Sequence, residues 1–220
     1  MPYSALRDKQ NELIRKARDG SVFIAPMSTA NLASLTSGAS SALVTLPTGW
    51  EDLGWTSTDG ASFGRETETS DVEAFGSQEP VRSDITSDVI TMEVTALETK
   101  LLTLGLYIGV DTTGIEAAAT TAELRIAKPS RAANYHYRVL GLFVDEIEEG
   151  EIYLGRYMPR AKITDRAEQV YTSGDDPIQY GFTFTGYEDS TAGTSHEWLF
   201  GGPGWKALLA KMGITQDSTP

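Results

Sequence analysis

Residues 81–109, VRSDITSDVITMEVTALETKLLTLGLYIG, constrain the fold more than any other stretch. Val81, Ser83 and Ile85 alternate with Arg82, Asp84 and Thr86, and Ile90, Met92 and Val94 alternate with Thr91, Glu93 and Thr95. A period of two belongs to strands with one buried face. It predicts two strands with a hairpin turn around Ser87. Thr95-Ala-Leu-Glu98 then fits a capping box, which places a helix start within 95–99. Leu97, Leu101, Leu104 and Ile108 share one helical face, Leu102 and Leu106 lie beside it, and Gly109 ends the helix. A helix this apolar needs cover on most sides, from its own sheet or from a neighbouring chain.

The remaining elements extend the same design. Residues 5–18 are expected to form a thin amphipathic helix along Leu6, Leu13, Ile14 and Ala17, stopped at Gly20, within an N-terminal arm spanning 1–42. The small-residue stretch 28–41 reads as loop or extended arm. Short strands are expected at 43–46 and 71–76. Between them the polar segment 57–71 is expected to project, as one arm of a hairpin or as a loop. A helix at about 96–108 is followed by a loop over 110–121 and a strand over 122–127. A long central strand covers 134–144, since both its faces turn apolar toward its end. Two strands, 151–157 and 163–171, flank Pro159, and 178–185 alternates most cleanly of all. The C-terminal extension 191–220 carries a short helix at about 204–212, with Trp205, Leu208, Leu209 and Met212 on one face and Gly213 as its stop. The fold class is therefore mainly β (α+β): a β-sandwich or barrel-like domain over 43–190, with a flanking α-helix and N- and C-terminal arms.

Chemistry is sparse. The 220 residues contain no Cys, which excludes disulfides and thiolate sites. No run reaches the length of a membrane span, and the N-terminal residues lack an apolar core of signal-peptide length, so a soluble chain is expected. Net charge is −13. Residues 51–99 hold twelve acidic and two basic groups, whereas 1–50 carry a slight positive excess. A tight nucleic-acid binder needs clustered Lys and Arg, and no such cluster is present. Gly201-Gly-Pro-Gly204 lacks the Lys-Ser/Thr of a phosphate cradle and reads as a loop before a helix. His136 and His196 have no metal-ligand partner at close spacing. The acidic turn 145–151 lacks the order of a calcium loop and reads as a solvated hairpin tip. No catalytic, cofactor or metal site is expected, and the protein is not expected to be an enzyme. Trp50, Trp55, Trp198 and Trp205 are read as core or interface anchors. A carbohydrate-binding or adhesin module using Trp50, Trp55 and Trp198 is the alternative reading.

Several segments in order carry a family likeness: Leu53–Gly60, Val72–Gly76, Val81–Gly109 with its Leu-Glu-Thr-Lys junction, Tyr157–Ile163 and Pro177–Asp189. Over roughly 50–190 the chain resembles the major tail tube proteins of long, non-contractile-tailed bacteriophages, particularly those infecting actinobacteria. The resemblance implies a structural virion protein, assembled in the bacterial cytoplasm into hexameric rings that stack as the tail tube. Double-stranded DNA would pass through the lumen without specific binding. It also implies tape measure, tail terminator and tail-tip proteins as partners. On this reading Asp59, Phe63, Arg65, Glu66 and Glu68 of the projecting segment, with Leu101 and Leu104 of the helix, are candidates for subunit contacts. Glu73, Asp84, Asp88 and Glu93 are candidates for acidic groups that face the lumen and repel phosphate.

Overall fold

A computed structural model describes residues 3–217. Two 3-10 turns, Tyr3–Leu6 and Asn11–Leu13, precede the first strand, β1 (Asp19–Pro26). There follow β2 (Thr36–Ser37), β3 (Ala42–Leu43), β4 (Glu51–Asp52), β5 (Thr56–Val72), β6 (Arg82–Ala96) and helix α1 (Leu101–Ile108). After a long irregular segment come β7 (Tyr137–Ile147), β8 (Gly150–Arg166), β9 (Tyr180–Gly186), β10 (Glu197–Gly201) and helix α2 (Pro203–Leu208).

One antiparallel sheet runs in the order β4-β1-β7-β8-β9-β6-β5, with β10 added to β8. Its two end strands, β4 and β5, are consecutive in the chain and separated only by residues 53–55. The sheet must therefore curl back on itself, which gives the expected barrel-like form. The curl is not closed. A groove of about 990 Å³ follows the seam, with Asp19–Ser21 of β1 on one side and Thr56–Ala61 of β5 on the other.

The concave face holds the larger core. Val22 and Ile24, Met92 and Val94, Val139, Met158, Ile163, Phe182 and Phe184 meet there, and Leu106 of α1 closes one side. Residues on the opposite face of β7 and β8, Leu140, Leu142, Tyr153 and Tyr157, pack under Leu32 and Leu35 of the segment between β1 and β2. β7 is thus buried on both faces, as its sequence predicts for a central strand.

Several expectations are corrected. The helix at 5–18 is absent: 3-10 turns and extended chain lead into β1, which lies inside the sheet between β4 and β7. The two strands around Ser87 are one strand of 15 residues, and the polar Ser-Asp pair continues it. A register shift near Thr86, between the pairs Glu68–Ser87 and Thr69–Ile85, is a bulge and not a turn. Of the two forms expected for 57–71, hairpin arm or loop, it takes the first, as strand β5 paired with β6, and the strand expected at 71–76 supplies only the last residues of β5. No strand forms at 122–127 or beyond Leu43 in 43–46. The strands around Pro159 are one strand, β8. Pro159 is accommodated because the register with β7 shifts between Tyr137–Ala161 and Val139–Met158, where the missing N–H costs no ladder bond.

The helix starts at Leu101, later than the capping box implies. Thr95 remains in β6, paired with Gly181 of β9. Glu98 is used elsewhere: it accepts the Trp55 N–H at 2.7 Å and pairs with Lys100 at 2.8 Å. Lys100 takes the N-cap position with no side-chain cap. At the other end Gly109 adopts φ 78°, a left-handed C-cap that glycine reaches without strain. The C-terminal helix is shorter than expected, ending at Leu208 with turns beyond it, and Pro203 occupies its first turn after Gly202.

Candidate assembly surface

The hairpin of β5 and β6 has two unlike halves. Near its base, Phe63 pairs across to Met92 and Ala61 to Val94, and β9 flanks β6. Beyond Gly64 every residue of β5 is exposed, as are Arg82–Thr86 and Asp88 of β6. The distal half is a two-stranded ribbon with solvent on both faces, a form that is marginal in isolation. Its tip carries exposed apolar residues: Val72, Val81, Ile85 and Phe75, the last fully exposed at 110%. The outer edge of β5 pairs with no strand among the described residues. A long free edge is a template for another chain, and charged residues along it suppress indiscriminate pairing.

The candidate contact residues divide accordingly. Asp59, Arg65, Glu66 and Glu68 are exposed on the hairpin. Arg65 is already engaged, forking onto Asp88 at 2.7 and 2.5 Å. That hydrogen-bonded fork holds the Asp88 carboxyl below its ordinary range. Phe63 turns inward: its ring meets Phe143 edge-on at 6.1 Å and covers the Arg156 guanidinium at 4.1 Å. It fills the seam of its own barrel. On α1, Thr103, Gly105 and Leu106 are buried, Leu104 is half-buried against the core and Leu101 is 41% exposed. The buried stripe is therefore rotated from the face predicted by spacing, and Leu101 is left outward.

The four acidic candidates are not gathered in one place. Glu73 lies in the loop beyond β5. Asp84 bridges Arg82 at 2.7 Å and Asp88 bridges Arg65, so both are partly neutralised within the ribbon. Glu93 sits in the body of the sheet, opposite Ser62 and Thr183, on the face away from buried Met92 and Val94.

Three features were not legible in sequence. The first is a cation clamped between rings: Arg156 stacks on Trp198 at 3.5 Å while Phe63 covers its other side. Its Nε–H donates to His196 Nε2 at 2.8 Å. The second is His196 itself. Burial, and then the charge of Arg156, push its pKa down to about 4. The third is Arg138, buried at 7% exposure, which donates to the carbonyls of Thr29 at 2.7 Å and Pro159 at 2.8 Å and to the side chain of Asn31. Asp189, equally buried, lies 3.6 Å from it. The acidic turn after β7 also differs from expectation at its start, since Asp145 is buried and pairs with Arg15 at 3.3 Å.

The four tryptophans do not gather in one place. Trp50 packs on Tyr157, Trp198 has Arg156 over its ring, and Trp205 stacks on Phe200 at 4.7 Å. Trp55 and Trp198 are the exposed ones, at 78% and 60%, and both line the groove along the seam. No group of three or more His, Asp or Glu is placed to hold a metal among the described residues. No described helix is long and apolar enough to cross a membrane.

The neutral His196 has a pH consequence. The unfolded chain takes up a proton near pH 6.5 and the folded one only near 4, so its stabilising contribution is complete above 6.5 and is lost as pH falls toward 4. His196→Gln keeps an acceptor for Arg156 but does not titrate. Urea midpoints measured from pH 7 to 4 should converge, wild type falling more steeply than the variant. Parallel profiles would show that His196 is not held neutral.

A family model described as phage tail tube protein matches residues 8–203. No curated protein matches the chain. Among solved structures, the tail of an empty GTA particle, computed with helical refinement in C6 symmetry, is similar at 10% identity and a TM-score of 0.36. The match covers 78% of this chain and 93% of that one. The crystal structure of an Hcp protein is similar at 12% identity and a TM-score of 0.30, covering 81% of this chain and 97% of that one.

Proposed function

This chain belongs to the phage tail tube protein family, and from that premise we propose that its copies close into hexameric rings that stack into a hollow conduit for double-stranded DNA. The observation that carries the proposal is the distal β5–β6 ribbon, exposed on both faces and along its outer edge. A ribbon of this kind gains its missing contacts from another copy. A head-to-tail contact that closes makes a ring, and a second contact that does not close makes a tube. Assembly takes place in the host cytoplasm, and tape measure, terminator and tail-tip proteins meet the tube at its lumen and ends.

The acidic surplus suits a conduit that must not hold its cargo, because like charge keeps phosphate from settling on the wall. Of the four acidic candidates, Glu73 and Glu93 carry no ion pair among the described residues, and Glu93, in the body of the sheet, is the one proposed to act on passing DNA.

The helix supplies a test of the subunit contact. Leu101→Glu changes an exposed side chain and leaves folding stability within about 0.5 kcal/mol, yet should reduce assembly. Leu104→Glu removes half-buried apolar surface and destabilises by about 2 kcal/mol. Thermal melts with pelleting assays separate the two effects. Normal assembly of Leu101→Glu would remove α1 from the interface. For the proposal as a whole, purified protein at rising concentration should show rings or tubes by negative-stain microscopy. A monodisperse monomer that also fails to enter tails when supplied to assembling virions would overturn it.

A further inference from the structure

A second groove, of about 890 Å³, lies between the C-terminal end of α1, residues 128–135 and the C-terminal end of strand β8. Its charged lining is Lys128, Lys162 and Arg166, with no carboxylate, and Tyr107, Tyr135 and Tyr137 supply ring surface. None of the three cations forms an ion pair among the described residues. Arg166 spends one N–H on the Leu106 carbonyl at 3.0 Å. The nearby carboxylate of Asp111 is turned to the backbone N–H of Thr113 at 2.9 Å. Positive charge extends beyond the groove: after burial, Arg160 and Lys162 are what lower the His136 pKa. The pairing of β7 with β8 ends at Tyr137–Ala161, so residues 162–166 have an open backbone edge on that side. In a chain of net charge −13, three unpaired cations beside ring surface and an open edge form a surface that lacks its complement.

The complement is present on the same chain. Glu66, Glu68, Asp71, Glu73 and Glu79 on the distal ribbon are exposed and make no ion pair among the described residues. They surround the exposed apolar tip of Val72, Phe75 and Val81. The geometry points to docking of this acidic, apolar-tipped ribbon into the cationic tyrosine groove of a second copy. The inference rests on the tube reading and names where the ribbon of one subunit seats on the next. Carboxylates meet Lys128, Lys162 and Arg166, and Phe75 meets tyrosine rings.

Charge reversal tests it. Lys128→Glu/Lys162→Glu should lower the pelletable fraction about tenfold, because like charges then face each other. Glu66→Lys/Glu68→Lys should do the same, and mixing the two variants should restore co-assembly. Both must melt like wild type, which separates lost docking from lost folding. The absence of native Cys allows a direct second measurement. Ala74→Cys mixed with Ala132→Cys under mild oxidation should give a disulfide-linked dimer that neither variant gives alone. Wild-type assembly by either reversal variant, or no cross-link in assembled mixtures, would overturn the docking while leaving the tube reading intact. Failure of the wild type to assemble at all would overturn both. Retention of duplex DNA by wild type, lost in Lys128→Glu/Lys162→Glu with tubes unchanged, would assign the groove to nucleic acid and overturn the docking.

Discussion

Replacing residues 66–89 with an Asn-Gly turn is expected to abolish tube formation and leave the subunit folded. Arg65 and Ile90 are directly paired, so a two-residue turn can join them without changing register. The excision keeps Phe63–Met92 and Gly64–Thr91 and removes no buried side chain. Exposed residues away from caps and networks cost little when removed, so stability should change by no more than about 1 kcal/mol. For a chain of this size that is a melting shift of about 2–4 °C. Assembly should respond very differently, because the excised ribbon holds the exposed apolar tip and most of the free β5 edge. Circular dichroism with temperature and sedimentation of assembled material give the two readouts. Tubes from the shortened chain would show that the ribbon is dispensable. Loss of the folded state would show that it belongs to the core.

Arg138→Leu has the largest expected effect on the subunit itself. Arg138 ties three separated segments together: the Thr29 carbonyl and Asn31 after β1, the Pro159 carbonyl at the β8 irregularity, and Asp189 after β9. Removing the guanidinium leaves Asp189 buried without its cation and two carbonyls without their donor. Breaking one side of a buried pair costs about 3–5 kcal/mol, which lowers the melting temperature of a domain this size by about 10 °C or more. Arg138→Lys should recover only part of this, because an ammonium cannot reproduce the planar fork. Asp189 adds an acid dependence. Its pKa is lowered chiefly by the backbone N–H of Ala192, with further help from Thr191, Asn31 and Arg138. That stabilisation is complete above the ordinary Asp range and is lost as pH falls through the lowered value. Chemical denaturation at pH 7 checks the main effect, and a loss below 1 kcal/mol would show that the network is not a tie.

How much of this was readable without the structure follows from which physical constraint wrote each segment. β9 and the base of β6 were legible, because each has one face in the core and one in water, and that asymmetry produces alternation. Gly109 was legible because a left-handed cap selects glycine. β1 leaves no such mark: Val22–Ala25 lies within a strand flanked on both sides, and a short apolar run has no periodic signature. The distal ribbon leaves hairpin arm and loop open over 57–71, and suggests a turn at Ser87, for the opposite reason. With both faces in water, Thr67–Asp71 and Thr86–Asp88 have no pressure toward alternation, so strand and loop look alike. Pro159 suggested a break because a proline in a paired strand is ordinarily excluded, and the register shift that accommodates it leaves no mark in composition. Phe63, a contact candidate in a polar segment, is brought against Phe143 and Arg156 by the curl of the sheet, a long-range property with no local signal. The clamp of Arg156 and the tie of Arg138 depend on residues distant in sequence and had no local signal.

The central claim is that the distal ribbon of each subunit finds its missing partner on another copy of the same chain within a tube. A cryo-electron microscopy reconstruction of the assembled protein tests it most directly. The predicted result is a tube of stacked six-membered rings in which residues 64–88 of every subunit are buried against a neighbour. A tube whose ribbons stand free in solvent, or an assembly that is not tubular, would contradict it.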